Sequence, residues 1–202
     1  MRRIIGPIGM FVLSATAITC GPPPAMLMGQ ILYTEGCRDT GMGNGCASAV
    51  QDFSGEAGTG SPALLVTCLL SAGEPNRFRL TIARSAGNIE EGVGVSFCGS
   101  LSGTSGLVQG AIVNLFSRGD QSRFPASRNP PTAACAVTIS ALDNTANSIS
   151  GHIRCDDLAD QGQPAKLHFI RGVSRSENPT ADVLQGDFAF TTCTQGNVGT
   201  CM

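Results

Sequence analysis

Hydrophobic and polar residues alternate along most of the chain in short runs with a period of two. Phe78, Leu80 and Ile82 are separated by Arg79 and Thr81, and Val93, Val95 and Phe97 by Gly94 and Ser96. Val137 and Ile139 lie between Ala136, Thr138 and Ser140. Residues 143–147 read Asp-Asn-Thr-Ala-Asn, a turn composition. Beyond it Ile149, Gly151, Ile153 and Cys155 fall on one side, and Ser148, Ser150, His152 and Arg154 on the other. Phe188 and Phe190 alternate with Asp187, Ala189 and Thr191. Successive side chains of a strand point to opposite faces, so each run predicts a half-buried strand.

Other stretches complete the picture. Residues 64–70 are almost wholly apolar around Cys68 and predict a strand buried on both faces. Residues 107–116 form a second apolar run, and Leu167 with Phe169 mark a shorter strand. Residues 36–60 are rich in glycine and predict a disulfide-pinned loop region with one short strand near residues 49–53. Residues 118–132 carry Pro125, Pro130 and Pro131 and read as a long connection. Helical spacing is nowhere sustained; only residues 156–161 and 176–183 have room for a helical turn. The expected fold is all-β, a disulfide-reinforced β-sandwich or barrel with long Gly/Pro-rich loops.

Two of these segments echo each other. Leu80-Thr81-Ile82 leads to Gly94, Cys98 and Leu101, and Val137-Thr138-Ile139 leads to Gly151, Cys155 and Leu158, at a constant offset of 57 residues. The spacing suggests two related hairpin units, from duplication or from chance resemblance of two hairpins.

The N-terminus follows a different logic. Arg2 and Arg3 precede an apolar stretch over residues 4–18, and small residues follow. This is the layout of a secretory signal, and the stretch is shorter than the roughly 20 residues of a membrane span. The chain has nine cysteines. Eight of them, Cys37, Cys46, Cys68, Cys98, Cys135, Cys155, Cys193 and Cys201, form an even set of disulfide candidates, and Cys20 is left over. Sequence proximity suggests Cys37 with Cys46 and Cys193 with Cys201, and the hairpin turning near Thr145 places Cys135 opposite Cys155.

Ala17, Ile18, Thr19 and Cys20 together resemble the processing box of a bacterial lipoprotein signal, with Ala17 and Thr19 departing from the usual residues. The resemblance covers the leader only. It implies cleavage before Cys20, lipid attachment at Cys20, and, with Gly21 following, transfer to an outer membrane where the cell has one. The competing site is Ala15-Thr16-Ala17, where cleavage releases a soluble extracellular or periplasmic protein. The expected organisation is a signal peptide at residues 1–19, a lipid-attachment cysteine and stiff Pro-rich tether at 20–35, and a single β-rich domain at 36–202.

Composition narrows the function classes. The net charge is −2, and loss of Arg2 and Arg3 with the leader lowers it by two, to −4. A mildly acidic chain without a basic stripe excludes nucleic acid as an expected partner. The absence of Trp and the single Tyr, Tyr33, argue against an aromatic carbohydrate platform or peptide groove.

Candidate chemistry is sparse. His152 and His168 are the only histidines, both assigned to polar strand faces, with Asp156 and Asp157 close behind His152. The spacing lacks a metal-ligand pattern, and two surface histidines are the simpler reading. Calcium at Asp156, Asp157 and Asp160 lacks the loop pattern. Glu90-Glu91 and Asp156-Asp157 are adjacent on their segments and would point to opposite strand faces. Gly103-Thr104-Ser105-Gly106-Leu107 and Gly99-Ser100-Leu101-Ser102-Gly103 both miss the serine-nucleophile elbow and read as turns. No catalytic residue, metal or cofactor is therefore expected. The favoured function is an exported cell-envelope lipoprotein, held to the membrane by its lipid, with a non-catalytic structural or binding domain. The alternative is a soluble secreted inhibitor, adhesin or hydrolase with a dispersed site.

Overall fold

The computed structural model describes residues 25–39, 48–71, 73, 75–85, 92–116, 127–128, 135–159, 166–172, 186–199 and 201. The described residues contain strands and turns and no helix, and the strands form two sheets. The first holds β1 (Met28–Asp39), β2 (Ala49–Glu56), β6 (Gly106–Leu107), β9 (Cys135–Asp143), β10 (Ser148–Ala159), β11 (Lys166–Arg171) and β12 (Gly186–Thr191). The second holds β3 (Ala63–Ser71), β4 (Asn76–Ser85), β5 (Val93–Leu101), β7 (Gln109–Phe116), β8 (Ser127–Arg128) and β13 (Thr194–Gln195). Except for β13 on β3, the pairs are antiparallel. The chain is an all-β, disulfide-bonded sandwich.

In the first sheet β11 and β12 lie end to end in one lane between β1 and β10. Residues 28–32 of β1 pair with β12 and residues 34–39 with β11. On the other side residues 149–153 of β10 pair with β12, and Cys155, Leu158 and Ala159 with β11. Two long strands are thus bridged by two short ones. The second sheet is a simpler run, with the β3–β4–β5 meander at its centre.

The period-two pattern now has its cause. Phe78, Leu80, Ile82, Val95 and Phe97 face Val137, Ile139, Ile149, Ile153, Phe188 and Phe190 across the interior, all nearly inaccessible to water. Phe97 of one sheet meets Phe188 of the other, with ring centroids 4.8 Å apart and an edge-on tilt. Phe78 adjoins Phe97 and Phe190 adjoins Phe188, so a ladder of four rings runs through the core.

The disulfides tie this core at several points. Cys135 and Cys155 sit directly opposite each other on β9 and β10 and are bonded, as the hairpin reading expected. Cys193 does not bond Cys201. It bonds Cys68 of β3, and Cys201 bonds Cys98 of β5. After β12 the chain leaves the first sheet and lays β13 beside β3, so each late cysteine meets a strand of the opposite sheet rather than its sequence neighbour. Cys37 is also disulfide-bonded. Its expected partner Cys46 lies outside the described residues, as do Cys20 and the leader, Glu90, Glu91, Asp160, residues 176–183 and most of the 118–132 connection.

Several expectations change. The sheet begins at Met28, ahead of the boundary placed at residue 36, and the glycine-rich region holds the last four residues of β1 and all of β2. β3 alternates between buried and more exposed positions, so it is covered on one face, not two. The 107–116 run is divided: β6 pairs with β9 in the first sheet and β7 with β5 in the second. Residues 156–159 extend β10 instead of turning into helix, past a bulge where Asp157 adopts a positive φ of 77°.

The 57-residue echo maps onto hairpins β4–β5 and β9–β10, one in each sheet. Each contributes its echoed glycine to the same kind of close approach. A Cβ on Gly94 would overlap the carbonyl oxygen of Ile82, and one on Gly151 that of Thr138. Because those obstacles are backbone, they cannot swing aside. We expect Gly94→Ala to lower stability by about 1–3 kcal/mol. Gly196→Ala, with nothing within 4 Å of the new methyl, should stay within about 0.5 kcal/mol of wild type. Urea denaturation of the two variants checks the contrast.

Candidate functional site

The outward face of the seven-stranded sheet carries a network of imidazole, hydroxyl, carboxylate and guanidinium side chains. Its centre is His152 on β10. Thr138 of β9 lies directly opposite it on one side and Asp187 of β12 on the other. His152 Nδ1 makes a short contact with Asp187 Oδ1, and His152 Nε2 lies 3.2 Å from the Ser140 hydroxyl. Side-chain exposure is 42% for His152 and 60% for Asp187, so solvent reaches the pair.

Ser140 is the diagonal neighbour of His152 on this face, and a backbone irregularity lies beside it. Ser150 pairs with Ala141 and Gly151 with Ile139, leaving Ser140 as the extra residue of a β-bulge. The burial pattern records it: Ser140 and Ala141 are both exposed, two outward positions in succession on an otherwise alternating strand. Bulges re-aim side chains in this way. The turn before β10 is held by Asp143, whose Oδ1 accepts from the backbone N–H of Thr145 and Ala146 at 2.8 Å each. Asn147 closes it at φ 52°.

For an ionised Asp187 and a neutral His152 ring, donor and acceptor inventories place the protons of this hydrogen-bond line. An ionised carboxylate only accepts, so Nδ1 of His152 carries the hydrogen facing Asp187. In the neutral ring Nε2 is then an acceptor, and the Ser140 hydroxyl donates to it. Serine donating to imidazole, and imidazole donating to carboxylate, is the connectivity of a nucleophilic triad.

A charged trio adjoins it. Asp156 accepts from Arg154 Nε at 3.0 Å and from Arg171 Nε at 3.1 Å, and the Arg171 guanidinium also stacks over Phe169 at 4.5 Å. Both arginines are exposed and Asp156 is partly so, and solvent-screened pairs of this kind add little stability, on the order of 0–1 kcal/mol each.

A second polar group lies inside. Tyr33, Glu35 and His168 are buried at the β1–β11 end of the first sheet. His168, assigned to a polar face by its alternation, points inward: Leu167 and Phe169 are the partly exposed positions, and His168 and Ile170 the buried ones. The period was right and its phase was inverted. Gln51 Nε2 donates to Glu35 Oε1 at 2.8 Å. Burial raises the Tyr33 pKa well above its usual value, and the Glu35 carboxylate adds to the rise.

Among the described residues no group of three or more His, Cys, Asp or Glu side chains is arranged to hold a metal ion. Among them, too, no helix is long and apolar enough to cross a membrane. No family model, curated protein or solved structure matches the chain.

The sequence placed Ser140, His152 and Asp187 on polar strand faces without connecting them. The hairpin around residues 143–147 was readable and sets Ser140 diagonally near His152. The pairing of β10 with β12 joins residues 35 positions apart and has no local signal.

Proposed function

We propose that this chain is an exported cell-envelope protein, anchored through lipid on Cys20, that displays its sandwich domain outside the cytoplasm. One observation carries the exported part of this reading: all seven cysteines among the described residues are disulfide-bonded. Disulfides form and persist in oxidising compartments. The basic-then-apolar leader supports the route, and the lipoprotein-like box ending at Cys20 supports the anchor. Pro22, Pro23 and Pro24 would space the domain from the bilayer. Two or more acyl chains hold a protein stably at a membrane, where one does not. The domain acts as a structural or binding module whose working surface is the polar face of the seven-stranded sheet.

Cys20→Ala is expected to move the protein from the membrane pellet to the soluble fraction and to abolish incorporation of labelled fatty acid. A variant that still sediments with membranes would rule the anchor out.

A second reading is favoured by one feature, the Ser140–His152–Asp187 hydrogen-bond chain. It makes the domain a hydrolase whose site is assembled from dispersed residues.

A further inference from the structure

We propose that Ser140 is an acyl-transfer nucleophile activated by His152, that Asp187 positions the imidazole, and that the substrates are short-chain carboxylic esters. This inference rests on the hydrolase reading and assigns its residues and substrate class.

Three features of the geometry carry it. The first is connectivity. A hydroxyl that donates to one imidazole nitrogen, while a carboxylate accepts from the other, is what turns serine into a nucleophile. The second is support. His152 and Asp187 are directly opposed on paired strands, so the sheet ladder fixes the base and its orienting group relative to each other. The third is the bulge. Strand alternation turns Ser140 outward, and the extra residue beside it sets Ala141 on the same face, so a small residue and not a bulky one borders the hydroxyl.

The chemistry balances without a co-reactant other than water. Ser140 Oγ bonds to the ester carbonyl carbon as its proton passes to His152 Nε2. The tetrahedral oxyanion collapses, the carbon–alkoxy bond breaks, and the alcohol departs with the proton from Nε2. Water then attacks the acyl-serine, giving its proton to Nε2. The carbon–Oγ bond breaks, the acid leaves, and Ser140 recovers its proton. The sum is ester plus water giving acid plus alcohol. Asp187 stays ionised throughout and stabilises the transient imidazolium.

The surroundings select the substrate class. The site sits in mid-strand, with β10 pairing along β9 and β6 pairing with it at Thr138 and Ile139, so Ser140 does not stand at the sharp turn or helix N-terminus that supplies the oxyanion hole of efficient acyl-transfer enzymes. Loss of one such donor costs about 10²–10³ in rate. Esters, with their better leaving group, tolerate that deficit, whereas amides do not. By register the positions around Ser140 on this face are Thr138, Ala141, Ser150 and His152, small or polar residues, with the exposed Leu107 of β6 opposite Thr138 as an apolar neighbour, which suits a short acyl group.

The full chain, exported and processed by its host, should be assayed with p-nitrophenyl acetate and with a fluorophosphonate probe. The expected result is hydrolysis that falls roughly 10²-fold or more in Ser140→Ala and in His152→Gln. The phosphonate adduct should map by mass spectrometry to the Ser140 peptide of the wild-type protein. Asp187→Asn should lower the rate and change the pH profile, and Asp187→Glu should restore part of it, which a merely structural carboxylate would not do. The adduct site needs no variant, so it decides the question even if a substitution impairs folding. Hydrolysis that persists in Ser140→Ala, or an adduct on another serine, would overturn the assignment while leaving the hydrolase reading standing. Hydrolysis lost only in His152→Gln would mean a bare imidazole acts, and would likewise remove Ser140 from the role. Neither turnover nor labelling would sink the assignment and the hydrolase reading together.

Discussion

Replacing both Cys68 and Cys193 with alanine is expected to lower stability by about 2–5 kcal/mol. The bond joins residues 125 positions apart, and with the Cys98–Cys201 bond in place the loop it closes runs 30 residues from Cys68 to Cys98 and 8 from Cys201 back to Cys193. That is still longer than the 20 residues between Cys135 and Cys155, and the stabilisation from closing a loop grows with its length. The bond also does something the sheet ladders do not. It fastens the chain leaving β12, in the first sheet, to β3 of the second, where β13 then pairs. Both sulfurs sit in the core, so the double substitution also removes packed volume. The same change at Cys135 and Cys155, only 20 residues apart on strands already paired, should cost less. Urea denaturation with unchanged m-values tests the order. If the two double variants lose equal stability, the long-loop argument fails.

Phe97→Ala is expected to cost about 3–5 kcal/mol, the range for truncating a large buried aromatic. Phe97 is 1% exposed and touches rings from both sheets, Phe78 beside it on β4 and Phe188 across the interior. Its removal would leave a cavity that backbone cannot close, because β5 is held on both edges, by β4 and by β7. Phe53→Ala makes the comparison. Phe53 is buried and, among the described residues, its ring meets Tyr33 and its strand β2 pairs with β1 on one edge. A strand held in this way has more freedom to relax, so the loss there should be smaller. Thermal unfolding monitored by circular dichroism resolves both, since about 1 kcal/mol shifts the midpoint by several degrees in a domain of this size. A Phe97→Ala protein within about 1 kcal/mol of wild type would mean that the four-ring ladder does not hold the sheets together.

The interior of the sheets was largely legible from local pattern. Strands β4, β5, β9, β10 and β12 were written as alternations, and the inward set from Phe78 to Phe190 is the set the structure buries. The β9–β10 turn was legible for a local reason too, since Asp143 and Asn147 supply the hydrogen bonds and the positive φ that the turn needs. Misreadings came where local composition competes with distant partners. The glycines near β1 suggested loop, yet β1 has β2 on one edge and β11 with β12 on the other, and those ladders outweigh propensity. Leu167 and Phe169 suggested an inward phase for β11. The structure instead buries His168 and Ile170 and lets Arg171 stack on the more exposed Phe169.

By itself, then, the order of residues determined the strand class, the facing of most side chains and the Cys135–Cys155 bond. These depend on period-two alternation and on a hairpin whose two arms are neighbours along the chain. Only the tertiary structure decided which strands share a sheet, which opposite-sheet cysteines meet, and that Ser140, His152 and Asp187 form one hydrogen-bonded line. Those outcomes turn on pairings between strands far apart in sequence, which no local pattern records.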